Sequence, residues 1–183
     1  VNGPRYRGLV NDIFVEGKLA KDMSLYVHRP SVADPTAAPK NGDTFYALSP
    51  VPNLGFKNSV DWRQEAEPYR QQVQETLEKN LLPGLGDHLT ESHIMTPLDF
   101  KERYLSPFGS GFSMEPRMFQ SAWFRPHNIS EDFPGLYLVG AGTHPGPGVP
   151  GVLASAEIVA KLIPDCNSEE KIKLKANNLE KSI

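Results

Sequence analysis

Between Asp61 and Leu82 the apolar positions return every fourth residue, at Tyr69, Val73, Leu77 and Leu81. Glu65, Glu67, Arg70, Gln74, Glu75, Glu78 and Lys79 fill much of the remaining circumference. One apolar stripe at this spacing predicts an amphipathic helix, with Asp61 as its N-cap and Pro83-Gly84 as its stop. The pattern differs in "SLYVHR" (24–29) and "TFYALSPV" (44–51), which are rich in aromatic and β-branched residues and bounded by Pro, Gly and Asp. Both read as strands. The link between them, "PSVADPTAAPKNGD", has its sharpest turn signal at Asn41-Gly42, which suits an antiparallel hairpin with a long connection. Pro50 and Pro52 should end the second strand, because proline offers a ladder no N–H. In "SHIMTPLDFKERYL" a short strand is expected, then a helix capped by Thr96 with Pro97 at its first position.

Toward the C-terminus the pattern loosens and then tightens again. The stretch 106–128, "SPFGSGFSMEPRMFQSAWFRPHN", is dense in aromatics, glycines and prolines but has no period. It reads as an ordered, loop-rich segment, either the wall of a site or a packed corner. Leu136, Tyr137, Leu138 and Val139 form a continuous apolar run, the pattern of a parallel strand covered on both faces. A loop carrying Gly140, Gly142, Gly146, Gly148 and Gly151 with Pro145, Pro147 and Pro150 follows directly. Beyond it Val152, Leu153, Ala156, Val159, Ala160 and Ile163 recur at helical spacing, with Pro150 suited to the first helical position.

A strand, a glycine loop and a helix N-terminus together favour an anion or a dipole, because first-turn N–H groups point outward there. Five glycines would let a ligand lie on bare main chain. The prolines remove donors, and neither the GxGxxG nor the GxxxxGK[ST] spacing is present. The residues therefore describe either a stiff ledge beside a planar ring or a tight βα turn.

Composition removes several classes of function. Net charge is −3 with acids and bases interspersed, unlike a nucleic-acid surface. Cys166 is the single cysteine, so an intrachain disulfide and a cysteine-based zinc cluster are ruled out. The histidines (28, 88, 93, 127 and 144) show neither HxxxH nor HExxH spacing, and no metal site is expected. No apolar run reaches the ~20 residues that a membrane-crossing helix needs. The 183 residues suffice for one domain or for part of a larger one, and the start on Val1 reads as a fragment or a processed chain. After Pro164 the sequence turns polar, as a solvated tail or a weak helix touching a membrane surface.

The segment "LYLVGAGTHPGPGVPGVLASAE", preceded by "QSAWFRPHN", resembles the C-terminal signature of phytoene desaturases of the bacterial and fungal carotenoid type. These are FAD-dependent enzymes of the flavin amine-oxidase superfamily. Similarity continues upstream through "PRYRGLVNDIF", "SLYVHRPSVADPTAAP", "FYALSPVPNLG", "LPGL", "TPLDF" and "GSGFSMEP", so it covers about residues 3–163. The resemblance implies an α/β fold: the C-terminal portion of a Rossmann-like FAD-binding fold, with part of an inserted mixed-sheet substrate domain of α+β type. It assigns residues 1–105 to the substrate-binding portion and 106–163 to the FAD-binding portion, leaving 164–183 as a polar, disordered tail. The dinucleotide-gripping GxGxxG would lie in a missing N-terminal part of the same enzyme.

The resemblance further implies that Gly140, Ala141 and Gly142 pass near the pyrophosphate and ribityl chain of FAD. Pro147, Gly148, Val149, Pro150 and Gly151 would lie against the isoalloxazine ring, with the N–H of Val152 facing its N1/O2 edge. The implied reaction converts phytoene, a long polyene hydrocarbon, to a more conjugated product by hydride transfer to flavin, and the partner proton goes to a base or water. Glu115, His127 and His144 are the candidate bases. The competing role for His144 is bonding to loop backbone, and for Glu115 pairing with Arg117 or Arg125. Phe108, Phe112, Phe119, Trp123 and Phe124 either line the path to the ring or pack in the core. A substrate that dissolves in lipid implies a cytoplasmic enzyme held peripherally at a membrane surface. The alternatives are a related carotenoid isomerase or retinol-saturase-like enzyme, an amine oxidase, or an inactive truncated chain acting as a binding piece. Ala141 stands where amine oxidases often have an acid, which speaks against that reading.

Overall fold

The computed structural model describes residues 1–115 and 117–163. The expected polar tail, 164–183, and Cys166 lie outside the described residues. The chain is a mixture of helices and one small sheet, and it divides into two compact units, Val1–Gly111 and the part from Phe112 onward.

The first unit opens with α1, Tyr6–Phe14, which buries Leu9 and Ile13 against Ala20. Tyr6, Leu9, Val10 and Ile13 carry the period of this helix, which is not among the elements expected from the sequence. Two short strands follow, β1 (Tyr26–His28) and β2 (Tyr46–Leu48), paired antiparallel with Tyr26 opposite Leu48 and His28 opposite Tyr46. Their link is pinned by Asp43, whose carboxylate accepts from the Nε and an Nη of Arg29 at 2.8 Å each and from Ser31 at 2.9 Å. Asn41 takes a left-handed conformation at the expected turn.

The long helix α2 runs Trp62–Asn80, and the Asp61 side chain accepts from the N–H of Arg63 at 3.1 Å. This is the capping role its sequence position predicts. Trp62, Tyr69 and Leu77 are buried with Met23 and Leu25 to form the main core. Side chains buried to this degree contribute about 1.5–3 kcal/mol each. Trp62 meets Tyr69 edge-on at 6.0 Å, and the indole Nε1 is buried without a hydrogen-bond partner among the described residues. Burial pushes the Tyr69 phenol above its ordinary pKa, while its hydrogen bond to Ser49 at 2.7 Å opposes that shift.

After the short α3 (Leu85–His88), α4 (Pro97–Tyr104) begins on the predicted Thr96 cap. Asp99 completes a capping box by accepting from the N–H and hydroxyl of Thr96 at 2.8 Å each. The strand expected just before α4 does not form; residues 89–95 are irregular and have no ladder partner among the described residues. Gly109, in the turn Pro107–Gly109, packs so tightly on the start of α4 that a Cβ there would collide with the Pro97 carbonyl.

The second unit is loop-rich through 112–128, with single turns at Met118–Gln120 and Ala122–Phe124, as the sequence suggests. The run 136–139 departs from expectation. It pairs antiparallel with 128–130 through one bridge, Ile129 to Tyr137, and Leu136 and Val139 are exposed. An apolar run reports that a segment can be covered, not which neighbours cover it. Among the described residues its only ladder partner is the segment just before it. The last described element of the unit is α5, Val149–Leu162, which starts one residue earlier than predicted and places Pro150 second. Its buried residues are Ser155 and Val159, while Val152 and Leu153 are exposed.

Candidate functional site

The glycine loop connects the 136–139 segment to α5, and its five glycines divide into two kinds. A Cβ on Gly140 or Gly148 would meet nothing within 4 Å, and both residues have positive φ, +114° and +92°. These two present bare main chain to open space. The other three serve packing inside the unit. Gly142 lies against the Ser113 hydroxyl, Gly146 against the Arg125 guanidinium, and Gly151 against the Gly146 carbonyl, which folds back onto the helix start. The loop is thus pressed against the protein on one side and open on the other.

Four buried polar side chains hold it in place. Arg125, only 3% exposed, donates to the Ala141 carbonyl at 2.8 Å and to the Met114 carbonyl at 3.3 Å. Asn128 reaches the carbonyls of Leu138 (3.0 Å) and His144 (3.1 Å) and the Ser155 hydroxyl (3.0 Å). Ser155 accepts from the Gly140 N–H at 3.1 Å, and Thr143 donates to the Gly140 carbonyl at 3.0 Å. The His144 N–H bonds the Pro126 carbonyl at 3.0 Å. Sequence reasoning assigns Asn128, Thr143 and Ser155 no part, and considers Arg125 only as a partner of Glu115. The signal for them is weak: small polar residues inside an apolar segment, where burial demands a partner.

The donors at the helix start also differ from expectation. The Val152 N–H is taken by the Gly148 carbonyl at 2.9 Å, so it cannot face a ligand. With Val149 as the first helical residue, Val152 is far enough in to have an intrahelical acceptor. Among the described residues, the N–H groups of Ala141, Gly142, Val149 and Gly151 have no hydrogen-bond partner. Pro150 offers none.

The three candidate bases lie in different surroundings. Glu115 pairs with Arg117 at 2.6 Å, the competing role foreseen for it. His144 places Nδ1 3.0 Å from the Ala122 carbonyl, again the competing role, and His127 places Nδ1 2.8 Å from Glu131. Trp123 brings the two histidines together, its ring centroid 5.2 Å from that of His127 and 6.1 Å from that of His144. Beside them opens a shallow depression of about 520 Å³, lined by Met114, Trp123, Phe124, Arg125, His127 and Glu131. Phe119, Trp123 and Phe124 are exposed, which places them on a surface and not in a core. The described residues contain no cluster of three or more His, Cys, Asp or Glu able to hold a metal, and no helix long and apolar enough to cross a membrane.

These features fit a planar, partly anionic cofactor such as FAD. Two open glycines supply contact area that a Cβ would fill, and unpartnered N–H groups flank each of them. Exposed Val139, Val149 and Leu153 add apolar surface beside the loop.

No protein-family model matches the chain. Individual proteins match it closely. It is 64% identical over 170 residues to the phytoene desaturase (neurosporene-forming) of Rhodobacter capsulatus, covering 93% of this chain and 32% of that protein. The neurosporene-forming enzyme of Cereibacter sphaeroides is 65% identical over 165 residues, covering 90% and 32%. The phytoene desaturase (lycopene-forming) of Pseudescherichia vulneris is 50% identical over 161 residues, covering 88% and 32%. The chain therefore spans about a third of the length of the curated relatives it matches. Over nearly all of its own length the chain is similar in sequence to phytoene desaturases.

Proposed function

We propose that this chain is the C-terminal portion of an FAD-dependent phytoene desaturase, and that its glycine loop seats the flavin. The reading rests on one observation: a chain this similar to phytoene desaturases carries a braced loop whose bare glycines, Gly140 and Gly148, face open space. On this reading residues 106–163 belong to a Rossmann-like cofactor domain completed by a preceding part of the same enzyme. Residues 1–105 belong to the substrate domain, and the whole works at a membrane surface where an apolar polyene collects.

Bound there, FAD would accept the hydride that leaves one of two adjacent saturated carbons as the new double bond forms. The chain's own residues do the remaining work. Ala141 and Gly142 offer main-chain N–H groups to the anionic part of the cofactor, and Val149 and Gly151 do the same at the helix start, where the dipole favours negative charge. Val139, Val149 and Leu153 keep water from the ring. His144 is the group best arranged to take the partner proton. Its Nδ1 faces a carbonyl, which accepts only, so Nδ1 carries the hydrogen and Nε2 keeps a free lone pair.

The test is a visible spectrum. The chain is joined to the portion of the Rhodobacter capsulatus enzyme that it does not match, purified, and compared with the isolated 183 residues. Flavin bands are expected in the chimera, with conversion of phytoene in vesicles to a coloured product, and little or no flavin is expected on the isolated chain. Strong flavin binding by the isolated chain would refute the divided seat. A folded chimera without flavin would refute the cofactor reading.

A further inference from the structure

Gly140 is held by both of its backbone groups. Its N–H donates to Ser155 Oγ at 3.1 Å, its carbonyl accepts from Thr143 Oγ1 at 3.0 Å and from the Thr143 N–H at 3.2 Å, and the two hydroxyl oxygens lie 3.0 Å apart. Each hydroxyl has one hydrogen, which fixes the direction of the chain of bonds. Thr143 gives its hydrogen to the Gly140 carbonyl, so Ser155 must give its own to Thr143 and accept from Gly140. The bonds close a loop that leaves Gly140 and returns to it. Asn128 supports the same arrangement by bridging the carbonyls of Leu138 and His144 and touching Ser155.

Water cannot substitute for these groups. Ser155 has no exposed surface, and Asn128 and Thr143 are 5% and 7% exposed. Gly140 therefore has no hydrogen bond left for a ligand and offers only its bare α-carbon, which faces open space. Ser155 also belongs to α5, the helix that Gly148 opens. The clamp accordingly fixes one open glycine relative to the other, although they are separated by a proline-rich loop.

We propose that Thr143 and Ser155 are positioning residues which hold Gly140 and Gly148 as one rigid ledge for the flavin, an inference that rests on the flavin reading above. They touch no ligand themselves. Their effect is on how tightly and how uniformly the cofactor is held.

The experiment uses the same chimera. Thr143→Val keeps the shape of the side chain and removes the hydroxyl's hydrogen bond to the Gly140 carbonyl, leaving the backbone bond from the Thr143 N–H in place. Ser155→Ala opens the loop of bonds at its other hydroxyl. Thr143→Ser restores the hydroxyl, and Glu157→Gln, on an exposed position of α5, serves as the control. The FAD dissociation constant is measured from flavin fluorescence released on dilution, alongside the fine structure of the flavin absorption band and far-ultraviolet circular dichroism. Thr143→Val and Ser155→Ala are each expected to weaken FAD binding about tenfold or more and to blur the band, with Thr143→Ser within about twofold of the unsubstituted chimera. Unchanged affinity and band shape in Thr143→Val and Ser155→Ala would overturn the proposal, as would a Thr143→Ser variant as weak as Thr143→Val. If Ser155→Ala is misfolded by circular dichroism, the near-isosteric Thr143→Val and its serine rescue decide the matter. An unsubstituted chimera without FAD would instead overturn the flavin reading, and that is seen before any variant is made.

Discussion

Two glycines show how differently the same residue type can be required. Gly148 has φ +92° and ψ 150°, a region that side-chain-bearing residues enter only under strain, yet a Cβ there would have room. Gly109 has φ +67°, and its Cβ would overlap backbone at the start of α4. Gly148→Ala is expected to cost about 1–3 kcal/mol of stability, the cost of local backbone strain. Gly109→Ala should cost more, because α4 must part from the turn beneath it. Urea unfolding of the two variants checks the order, and equal losses would show that the crowding at Gly109 is not as described. Gly148→Ala should also impair flavin retention in the chimera, whereas Gly109→Ala should act through stability alone.

At the scale of elements, the start of α4 makes a pH-dependent contribution. The Thr96 N–H is the foremost influence holding the Asp99 carboxyl below its ordinary value of 3.8, helped by the Thr96 hydroxyl and by Arg103 at 3.6 Å. A carboxylate with a lowered folded-state pKa stabilises the fold fully above its ordinary value and loses that effect as pH falls through the lowered one. The melting temperature of Asp99→Asn should therefore lie below that of the unsubstituted chain at about pH 6 and approach it below about pH 3. A constant difference across that range would contradict the capping role. The Thr96 cap was legible in the sequence because Pro97 follows it at the first helical position, whereas the part of Asp99 was not read there; α2 was legible too, its fourfold spacing realised by Tyr69 and Leu77 in the core. The course of 136–139 was not, since an apolar run does not name its partners. The clamp was hidden for a related reason: Asn128, Thr143 and Ser155 are 12 to 27 residues apart, and only folding shows that their polar atoms meet.

For the whole molecule, the apolar surface is the informative quantity. Val149 is 75% exposed, Phe119 70% and Trp123 68%, all in the second unit, and such groups commonly mark surfaces that meet another partner. That accords with a chain spanning 32% of its relatives and completed, on the proposed reading, by the rest of the enzyme. The two tryptophans are divided between the units in contrasting settings. Trp62 is 5% exposed with no hydrogen bond to its indole nitrogen among the described residues, and Trp123 stands largely in solvent between two imidazoles. Indole emission shifts to longer wavelength as the ring meets water, so the protein carries two optical labels of different colour. A single emission spectrum should resolve into a blue component from the first unit and a red one from the second, the red component disappearing in Trp123→Phe. During denaturation the blue component would then shift to the red as the first unit opens, dating that event without any dye being attached.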